Sequence, residues 1–444
     1  MPAASGQAGP ATPAPFPQVR AVARKAAHSP TLSIHERVAS RRARGLDTVH
    51  FGFGQSPFPV PESVQEALRA HSGDNHYLPT QGLPALRERA ARYLRQRFRH
   101  DAHADRVLIG PGSKELLYHL LLVLEGDLIL PAPSWVSYAP QASLAGKRLV
   151  WVRTDPDRGW RLDAEGLEDA CARSRSRQKI LILNSPCNPT GSVLSTDELR
   201  DIATVARRHN VIVVADEIYA EIVFGRRRCA SIARFCPERC VVTNGLSKGF
   251  SAGGYRLGVM LLPPDMADLM PHLVSIASET YSCVAAPVQH AACVAFAMGD
   301  EVQRAVRDAA AVHSMTGEFL WRAFTQAGLR CARPQGAFYL FPDFSPWRTH
   351  LFRRGIRADE SLCADLLERT GVAVLPGRAF GVSAAELAVR VATVDYDGAV
   401  VLAGLRQHRP GTPAARRAFV HHHAPRLTDG VARMREYIAR ICQR

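Results

Sequence analysis

The chain has 444 residues, enough for two or three compact units, and 46% of them are apolar, enough for a sizeable core. No apolar run reaches the roughly 18–20 residues that a membrane span needs, so we expect no membrane partner. The formal net charge is +15, and only five of the 56 basic residues are lysines. Because the arginines are scattered among acids and no zinc-finger or RNA-binding motif accompanies them, a solvated basic surface is favoured over a nucleic-acid partner.

The ten cysteines are irregularly spaced, and the sequence lacks the apolar core of a secretory signal. This predicts a reducing, cytoplasmic location, with the thiols free and buried as small hydrophobic side chains. Cys236 and Cys240 are the closest cysteine pair, but no Cys-x-x-Cys or nearby histidine pair makes a zinc site. The run His421–His423 is interpreted as a polar helix face, so no metal site is expected. Residues 1–30 are rich in Ala, Pro and Gly, and they are expected to form a flexible N-terminal arm.

From about residue 80, helix and strand patterns alternate along the chain. Amphipathic helices are predicted at Leu83–Phe98, Leu116–Leu124 and Ser195–His209, the last with Ser195 and Glu198 in capping-box spacing. Short apolar strands are predicted at Asp127–Leu130, Arg148–Val152, Lys179–Leu183, Val211–Ala215, Cys240–Thr243 and Leu257–Leu262. Alternating βα units of this kind predict an α/β fold with a mostly parallel sheet that is covered by helices on both sides.

The pattern changes after about residue 300. A long helix is predicted at Glu301–Ala327, a strand at Ala337–Phe341, and a last helix at Val431–Cys442 within the segment 406–444, to which we assign no function. These elements indicate a second, smaller α+β domain.

Polar side chains follow three of the predicted strands at the point where each strand ends. The segment Asn184–Gly191 follows Lys179–Leu183, and Asp216–Tyr219 follows Val211–Ala215. After Cys240–Thr243 comes Asn244–Lys248, with Arg256 eight residues beyond the lysine. Ligands of open α/β sheets bind at the carboxyl ends of the strands, so these side chains are expected at one rim.

A glycine-containing loop, Gly110–Lys114, precedes a predicted helix. Its glycines leave backbone amides free to meet a phosphate at the helix N-terminus. The loop lacks the third glycine of a dinucleotide-binding fingerprint and is not a Walker loop.

With these motifs, the chain resembles the class I/II aminotransferases over residues 51–394. The resemblance implies the aspartate aminotransferase fold (fold type I) and the cofactor pyridoxal 5′-phosphate (PLP). It implies a large PLP-binding domain at 61–317, with a mostly parallel, seven-stranded sheet sandwiched by helices. A smaller α+β domain is expected from 31–60 and 318–444.

The resemblance also implies a role for each motif residue. Lys248 would hold PLP as a Schiff base and then move the substrate proton, and Asp216 would keep the pyridine nitrogen protonated. Tyr219 and Asn188 would bind the phenolic oxygen of the cofactor. The phosphate would be bound by Gly112, Ser113, Lys114, Ser247 and Arg256. Relatives commonly have a serine three residues before the lysine, where this chain has Gly245. The phosphate is therefore expected to lose one hydroxyl donor unless Ser247 or Ser251 compensates.

Four further roles concern the ring, the partner subunit and the substrate. Trp135 would stack on the pyridine ring, and Tyr77 would reach the phosphate of a neighbouring subunit, which implies a homodimer. Arg390 would bind the substrate α-carboxylate, beside Gly54, Trp135 and Asn188. From the residues alone, Trp135 could equally be a core residue, and Tyr77 and Asn188 could be turn residues.

The leading hypothesis is a PLP-dependent aminotransferase that moves an amino group between an L-amino acid and a 2-oxo acid. The alternative is a fold-type-I enzyme of other chemistry, such as elimination, decarboxylation or oxidation of an amino acid. A PLP-sensing transcription regulator is disfavoured, because the first 50 residues are too short and unpatterned for a DNA-binding domain. Neutral Gln55 with Phe51, Phe53 and Phe58 predicts an apolar or aromatic substrate side chain.

Overall fold

The computed structural model describes residues 29–225 and 229–442. The predicted arm therefore lies almost entirely outside the described residues. Within them, helices α1–α15 span Pro30–Ala43, Glu62–Ala70, Pro84–Phe98, Ser113–Val123, Tyr138–Leu144, Ala164–Arg173, Thr196–Arg208, Met270–Thr280, Ala286–Ala297, Asp300–Gln326, Arg348–Arg353, Asp359–Thr370, Gly398–Gln407, Pro413–His423 and Pro425–Cys442. Strands β1–β12 span Val49–His50, Val107–Gly110, Asp127–Ala132, Leu149–Arg153, Lys179–Asn184, Val211–Asp216, Cys240–Gly245, Gly258–Leu261, Tyr339–Leu340, Val372–Ala373, Leu375–Pro376 and Val389–Ala392.

Seven strands form the main sheet, in the order β2-β8-β7-β6-β5-β3-β4. The pairs β3·β4, β3·β5, β5·β6 and β6·β7 are parallel, whereas β8 runs antiparallel to both of its neighbours. Every residue of β6 is buried, with Val211, Val213 and Ala215 in one apolar core and Ile212 and Val214 in another. The sheet is therefore covered on both faces, which confirms the predicted α/β fold.

The predicted helices are confirmed, with small shifts at their ends. Helix α7 begins after Ser195, whose hydroxyl accepts a hydrogen bond from the Glu198 amide at 3.2 Å, while the Glu198 carboxylate accepts one from the Ser195 amide at 2.7 Å. This is the capping box that the sequence predicts. Helix α4 begins at Ser113, three residues earlier than predicted, so the Gly110–Lys114 loop leads directly into its first turn.

A separate core gathers apolar side chains from Val49–Phe58 and from the region after Ala309. The C-terminal helix α15 contributes Leu427, Val431, Met434 and Ile438 to it, so the segment 406–444 has a packing role. The division into a large domain at 61–317 and a small domain from 31–60 and 318–444 stays a prediction, and this core also includes Ala309, Val312 and Met315. Of the helices described, none is long and apolar enough to cross a membrane.

All ten cysteines are free, three of them buried and seven partly buried. The prediction of free thiols is confirmed, although most are less buried than expected. The histidines 421–423 end helix α14, where His421 and His422 are exposed.

Candidate active site

The carboxyl ends of the three central strands carry the side chains that the motifs single out. In the parallel register, Asn184 of β5 pairs with Asp216 of β6, and Asp216 pairs with Thr243 of β7. They border a cavity of about 470 Å³. Eleven predicted site residues line it: Gly54, Ser113, Lys114, Trp135, Asn188, Asp216, Tyr219, Ser247, Lys248, Arg256 and Arg390.

Asp216 is a buried carboxylate held by three hydrogen-bond donors. The Tyr138 hydroxyl donates to Oδ2 at 2.6 Å, and the Thr243 hydroxyl and the Ile218 amide donate to Oδ1, both at 3.3 Å. Burial raises the pKa of Asp216, and these hydrogen bonds offset the rise only in part. A cation facing this carboxylate would favour its ionised form.

Lys248 extends into the same cavity. Its Nζ donates a hydrogen bond to the Gly54 carbonyl at 2.7 Å. Burial lowers the pKa of Lys248 to about 7, and the nearby positive charges of Arg390 and Arg256 add to this effect. An amine with this pKa is substantially neutral, and hence nucleophilic, at physiological pH.

Cationic groups and a helix N-terminus meet at another part of the cavity. Gly112 precedes helix α4 with φ +91°, and a Cβ there would lie 2.3 Å from Nη2 of Arg256. The Arg256 guanidinium is fixed by the Pro111 and Gly253 carbonyls at 3.2 and 2.9 Å. Burial and Arg256 lower the pKa of Lys114. Free amides, a guanidinium and an ammonium together form a binding site for an anion such as phosphate.

An indole and two phenols supply flat and polar walls. Lys114 Nζ lies 5.2 Å from the Trp135 ring centroid. The Tyr219 and Tyr339 hydroxyls are 2.8 Å apart, and burial raises the pKa of both phenols. Asn188 is fixed through its backbone amide, which donates a hydrogen bond to Oδ1 of Asn184 at 2.7 Å. These groups offer a stacking surface and hydrogen-bond donors for a ring that carries an oxygen.

Arg390 is a buried cation without a carboxylate partner among the described residues. Nη2 donates to the Gly52 carbonyl at 2.6 Å, and Nη1 lies 3.4 Å from Oδ1 of Asn188, but Nε has no hydrogen-bond partner. The rings of Tyr339 and Phe380 lie 4.8 and 5.2 Å from the guanidinium carbon. Because a buried unpaired charge is costly, this group is poised to receive an anion.

Two glycines are required by close approaches near the site. At Gly54, a Cβ would lie 2.1 Å from the Tyr339 hydroxyl. At Gly245, a Cβ would lie 2.7 Å from the Leu257 carbonyl, so a serine at this position would collide with the adjacent strand. Ser247 lines the cavity, whereas the Ser251 hydroxyl is engaged with Ser56 at 2.7 Å, which leaves Ser247 as the available hydroxyl.

One expectation about the site differs from the structure, and the expected role of Tyr77 in a neighbouring subunit stays a prediction. Tyr77 does not line the cavity of this chain and is 89% exposed. Of the three phenylalanines expected at the entrance, only Phe53 lines the cavity, beside Gln55; placing Phe51 and Phe58 there was wrong, because both are buried in the second core. Phe51 packs against Gly430 of helix α15, an element too distant in the sequence to be anticipated.

Sequence reasoning missed Tyr138, Thr243 and Tyr339, as well as the role of Asn184. Each of these side chains acts on another functional residue and has no evident chemical role of its own. Residues Ser29, Thr31 and Leu32 at the start of helix α1 also line the cavity. No spacing in the sequence pointed to them.

Comparison with known proteins agrees with this geometry. A family model for class I and II aminotransferases matches residues 47–399. The chain is 34% identical over 362 residues to an aspartate aminotransferase of Geobacillus stearothermophilus, covering 80% of this chain and 89% of that protein. It is 32% identical over 368 residues to a probable aspartate/prephenate aminotransferase of Aquifex aeolicus, with the same coverage of 80% and 89%.

The structural comparison gives the same result. The solved aspartate aminotransferase from Thermus thermophilus with maleate matches with a TM-score of 0.78 at 28% identity, covering 91% of this chain and 98% of that one. The chain therefore belongs to the class I and II aminotransferase family, and its activity is transamination.

Proposed function

We propose that this transaminase holds pyridoxal 5′-phosphate in the cavity at the carboxyl ends of β5, β6 and β7. The residues fit the group in charge and position. Lys248 would form the covalent link to its aldehyde, and Asp216 would face its ring nitrogen. The phosphate would lie at the N-terminus of helix α4, held by Gly112, Ser113, Lys114, Ser247 and Arg256. Trp135 would stack on the ring, while Tyr219 and Asn188 would bind its phenolic oxygen.

When bound, PLP supplies an electron-poor ring that accepts the electrons released at the substrate Cα. Asp216 favours this role when it is ionised, because its charge keeps the ring nitrogen protonated. Lys248, once the substrate amine has released it, would take the substrate Cα proton on Nζ and later give that proton up again within the site. Its pKa of about 7 suits both steps, since a general base works best with a pKa near the operating pH.

The observation that carries the proposal is the convergence of Lys248, Asp216 and Arg390 on one cavity. Arg390 would bind the substrate α-carboxylate through its unpaired guanidinium face, which fixes the Cα–H bond relative to the ring. The three groups thus cover the covalent link, the ring electronics and the orientation of the substrate.

A borohydride experiment tests the assignment of Lys248. Reduction of the holoenzyme should trap PLP on the peptide that contains Lys248, as read by mass spectrometry, and Lys248→Ala should remove this adduct. Lys179→Ala, at the start of β5, is the matched control and should keep the adduct. A PLP adduct on another lysine, or none, would contradict the proposal.

A half-reaction separates transamination from the other chemistries of this fold. Incubation with an amino acid alone should convert the bound cofactor to pyridoxamine phosphate and release one equivalent of 2-oxo acid per site. Release of ammonia together with the 2-oxo acid would instead favour elimination, release of CO₂ with an amine would favour decarboxylation, and consumption of O₂ would favour oxidation.

The substrate side chain is proposed to contact Phe53 and Gln55, which line the cavity and are uncharged. The relatives named above act, by their names, on aspartate or on aspartate and prephenate. A panel of dicarboxylic, aliphatic and aromatic amino acids, each with several oxo-acid acceptors, tests the choice. The uncharged side chains of Phe53 and Gln55 favour aromatic and aliphatic amino acids. A clear preference for aspartate would overturn this proposal for the substrate side chain.

We also propose that the enzyme is a homodimer whose active site is completed by Tyr77 of the partner chain. The support is that Tyr77 is 89% exposed and outside its own cavity, which is unusual for a large aromatic residue. Light scattering should give twice the chain mass, and Tyr77→Phe should weaken PLP binding about tenfold, the loss of one hydrogen bond. The control Tyr118→Phe should leave the PLP affinity unchanged. If Tyr77→Phe also leaves it unchanged, this role of Tyr77 is contradicted.

A further inference from the structure

We propose that His71, Asp74 and His290 bind one divalent transition-metal ion of the zinc type, at a site separate from the active-site cavity. His71 caps the C-terminus of helix α2, Asp74 lies in the turn that follows, and His290 is on helix α9. One donor atom from each residue lies within 4.8 Å of the others. This proposal does not depend on the proposed function.

The distances resemble those of a preformed metal site. Oδ2 of Asp74 lies 2.8 Å from Nδ1 of His71 and 3.5 Å from Nε2 of His290. Ligands bound at 2.0–2.1 Å around a tetrahedral ion are about 3.4 Å apart, close to these distances. The two imidazole rings are stacked, with centroids 3.9 Å apart and planes inclined by 8°. Because an ion lies in the plane of each imidazole that binds it, one ring must rotate out of this parallel arrangement on binding, and the partial exposure of both side chains leaves room for that rotation.

The chemistry of the donors selects the class of ion. Two imidazole nitrogens and one carboxylate oxygen suit zinc, nickel or copper, whereas magnesium and calcium prefer oxygen ligands. The exposed fractions of the side chains, 40% for His71, 45% for Asp74 and 27% for His290, leave room for water to complete the coordination. The expectation that there is no metal site rested on local spacing, which does not reveal a site whose third ligand, His290, is far from the other two in the sequence.

The position of the site indicates a structural role. Gln289, the neighbour of His290, accepts a hydrogen bond from the Leu83 amide at 2.8 Å and donates one to the Val284 carbonyl at 2.7 Å. Helix α9 therefore already holds the end of the segment 71–83. An ion on His71, Asp74 and His290 would hold its beginning, and so restrict the exposed loop that contains Tyr77.

Calorimetric titration of tag-free holoenzyme with Zn²⁺ tests the proposal. We expect one saturable site that the matched control His272→Gln, an exposed histidine on helix α8, retains. His290→Gln and Asp74→Asn should each weaken it at least tenfold, because even partners of metal ligands contribute 10- to 100-fold to affinity. Zinc binding to the free cysteine thiols would be the same in the wild type and in all variants. It can therefore be subtracted as a common background from each titration.

Two further measurements keep the result unambiguous. Without zinc, His290→Gln and Asp74→Asn should keep the wild-type PLP content and Tm. Zinc should raise the Tm of the wild type and of His272→Gln, but not the Tm of His290→Gln or Asp74→Asn. In crystals soaked with Zn²⁺, the anomalous peak should lie about 2.0–2.2 Å from the three donor atoms. The proposal is overturned if zinc binds equally to wild type, His290→Gln and Asp74→Asn. It is also overturned if the anomalous peaks lie only at other places in the molecule.

Discussion

The hydrogen bond from Tyr138 to Asp216 allows the electrostatics of the site to be tested quantitatively. The two oxygens are 2.6 Å apart and buried, and the contact lowers the pKa of Asp216 against the larger, opposite effect of burial. A hydrogen bond to a charged group contributes roughly 1.5–3 kcal/mol, and one pKa unit corresponds to about 1.4 kcal/mol. Tyr138→Phe should therefore raise the pKa of Asp216 by about one to two units.

The sign of the kinetic effect follows from the role of Asp216, which supports the reaction only when it is ionised. Raising its pKa should move the acid limb of the pH–rate profile to higher pH. On this acid limb, below the pKa of Asp216 in both proteins, the rate of the half-reaction with an amino acid alone should fall about 10- to 100-fold, because the ionised fraction falls by that factor. Above the pKa of Asp216 in both proteins, the rate should be unchanged.

A matched control separates this effect from the loss of a hydroxyl in general. Tyr437 donates to Oδ2 of Asp365 at 2.8 Å, outside the active-site cavity. Tyr437→Phe should leave the half-reaction and its pH profile unchanged. If Tyr138→Phe binds PLP normally and keeps the wild-type acid limb, the reasoning about Asp216 is refuted.

Three other predictions follow from the charges of buried groups. Since the pKa of Lys248 is about 7, the rate of acylation of this amine in the apoenzyme should rise with pH and reach half its maximum near pH 7. A midpoint near the ordinary lysine pKa of about 10.4 would contradict the lowered pKa of Lys248. Arg390→Lys should lower kcat/KM for amino acid and oxo acid alike by about 10- to 100-fold, because an ammonium cannot replace the bidentate guanidinium. The control Arg200→Lys, at an exposed position of helix α7, should have no effect. Burial lowers the pKa of His313 to about 3, below the value of about 6.5 in the unfolded chain, so protonation favours unfolding. The contribution of His313 to stability is complete above about pH 6.5 and should fall as the pH drops towards 3. Between these values, the free energy of unfolding measured in urea should change less steeply with pH in His313→Leu than in the wild type, by about 1.4 kcal/mol per pH unit.

The main sheet and the reactive side chains were predictable from the sequence because their signals are local. A buried parallel strand is a short apolar run, and the residue that follows it is delivered to the rim, as Asp216 is after Val211–Ala215. Lys248 could be singled out because lysine is rare in this chain and this one follows a strand directly.

The supporting residues could not be predicted, because their partners are distant in the sequence. Tyr138 meets Asp216 across 78 positions, and Tyr339 meets Tyr219 across 120. An aromatic residue in such a position has the same pattern as an ordinary core residue. The misplacement of Phe51 has the same origin, since the helix that covers it lies at the other end of the chain.

The charges around the cavity connect these observations. Among the described residues that line it, Asp216 is the single acid, against the cations Lys114, Lys248, Arg256 and Arg390. Holding so many cations together is costly, and Arg390 and Arg256 add to the larger effect of burial in lowering the pKa of Lys248. The arrangement becomes favourable when a phosphate lies beside Arg256 and a carboxylate beside Arg390, because each anion neutralises a cation that the protein leaves without an acid. Burial and the excess of positive charge thus make the amine reactive, and the same charges favour a cofactor that carries a phosphate and a substrate that carries a carboxylate.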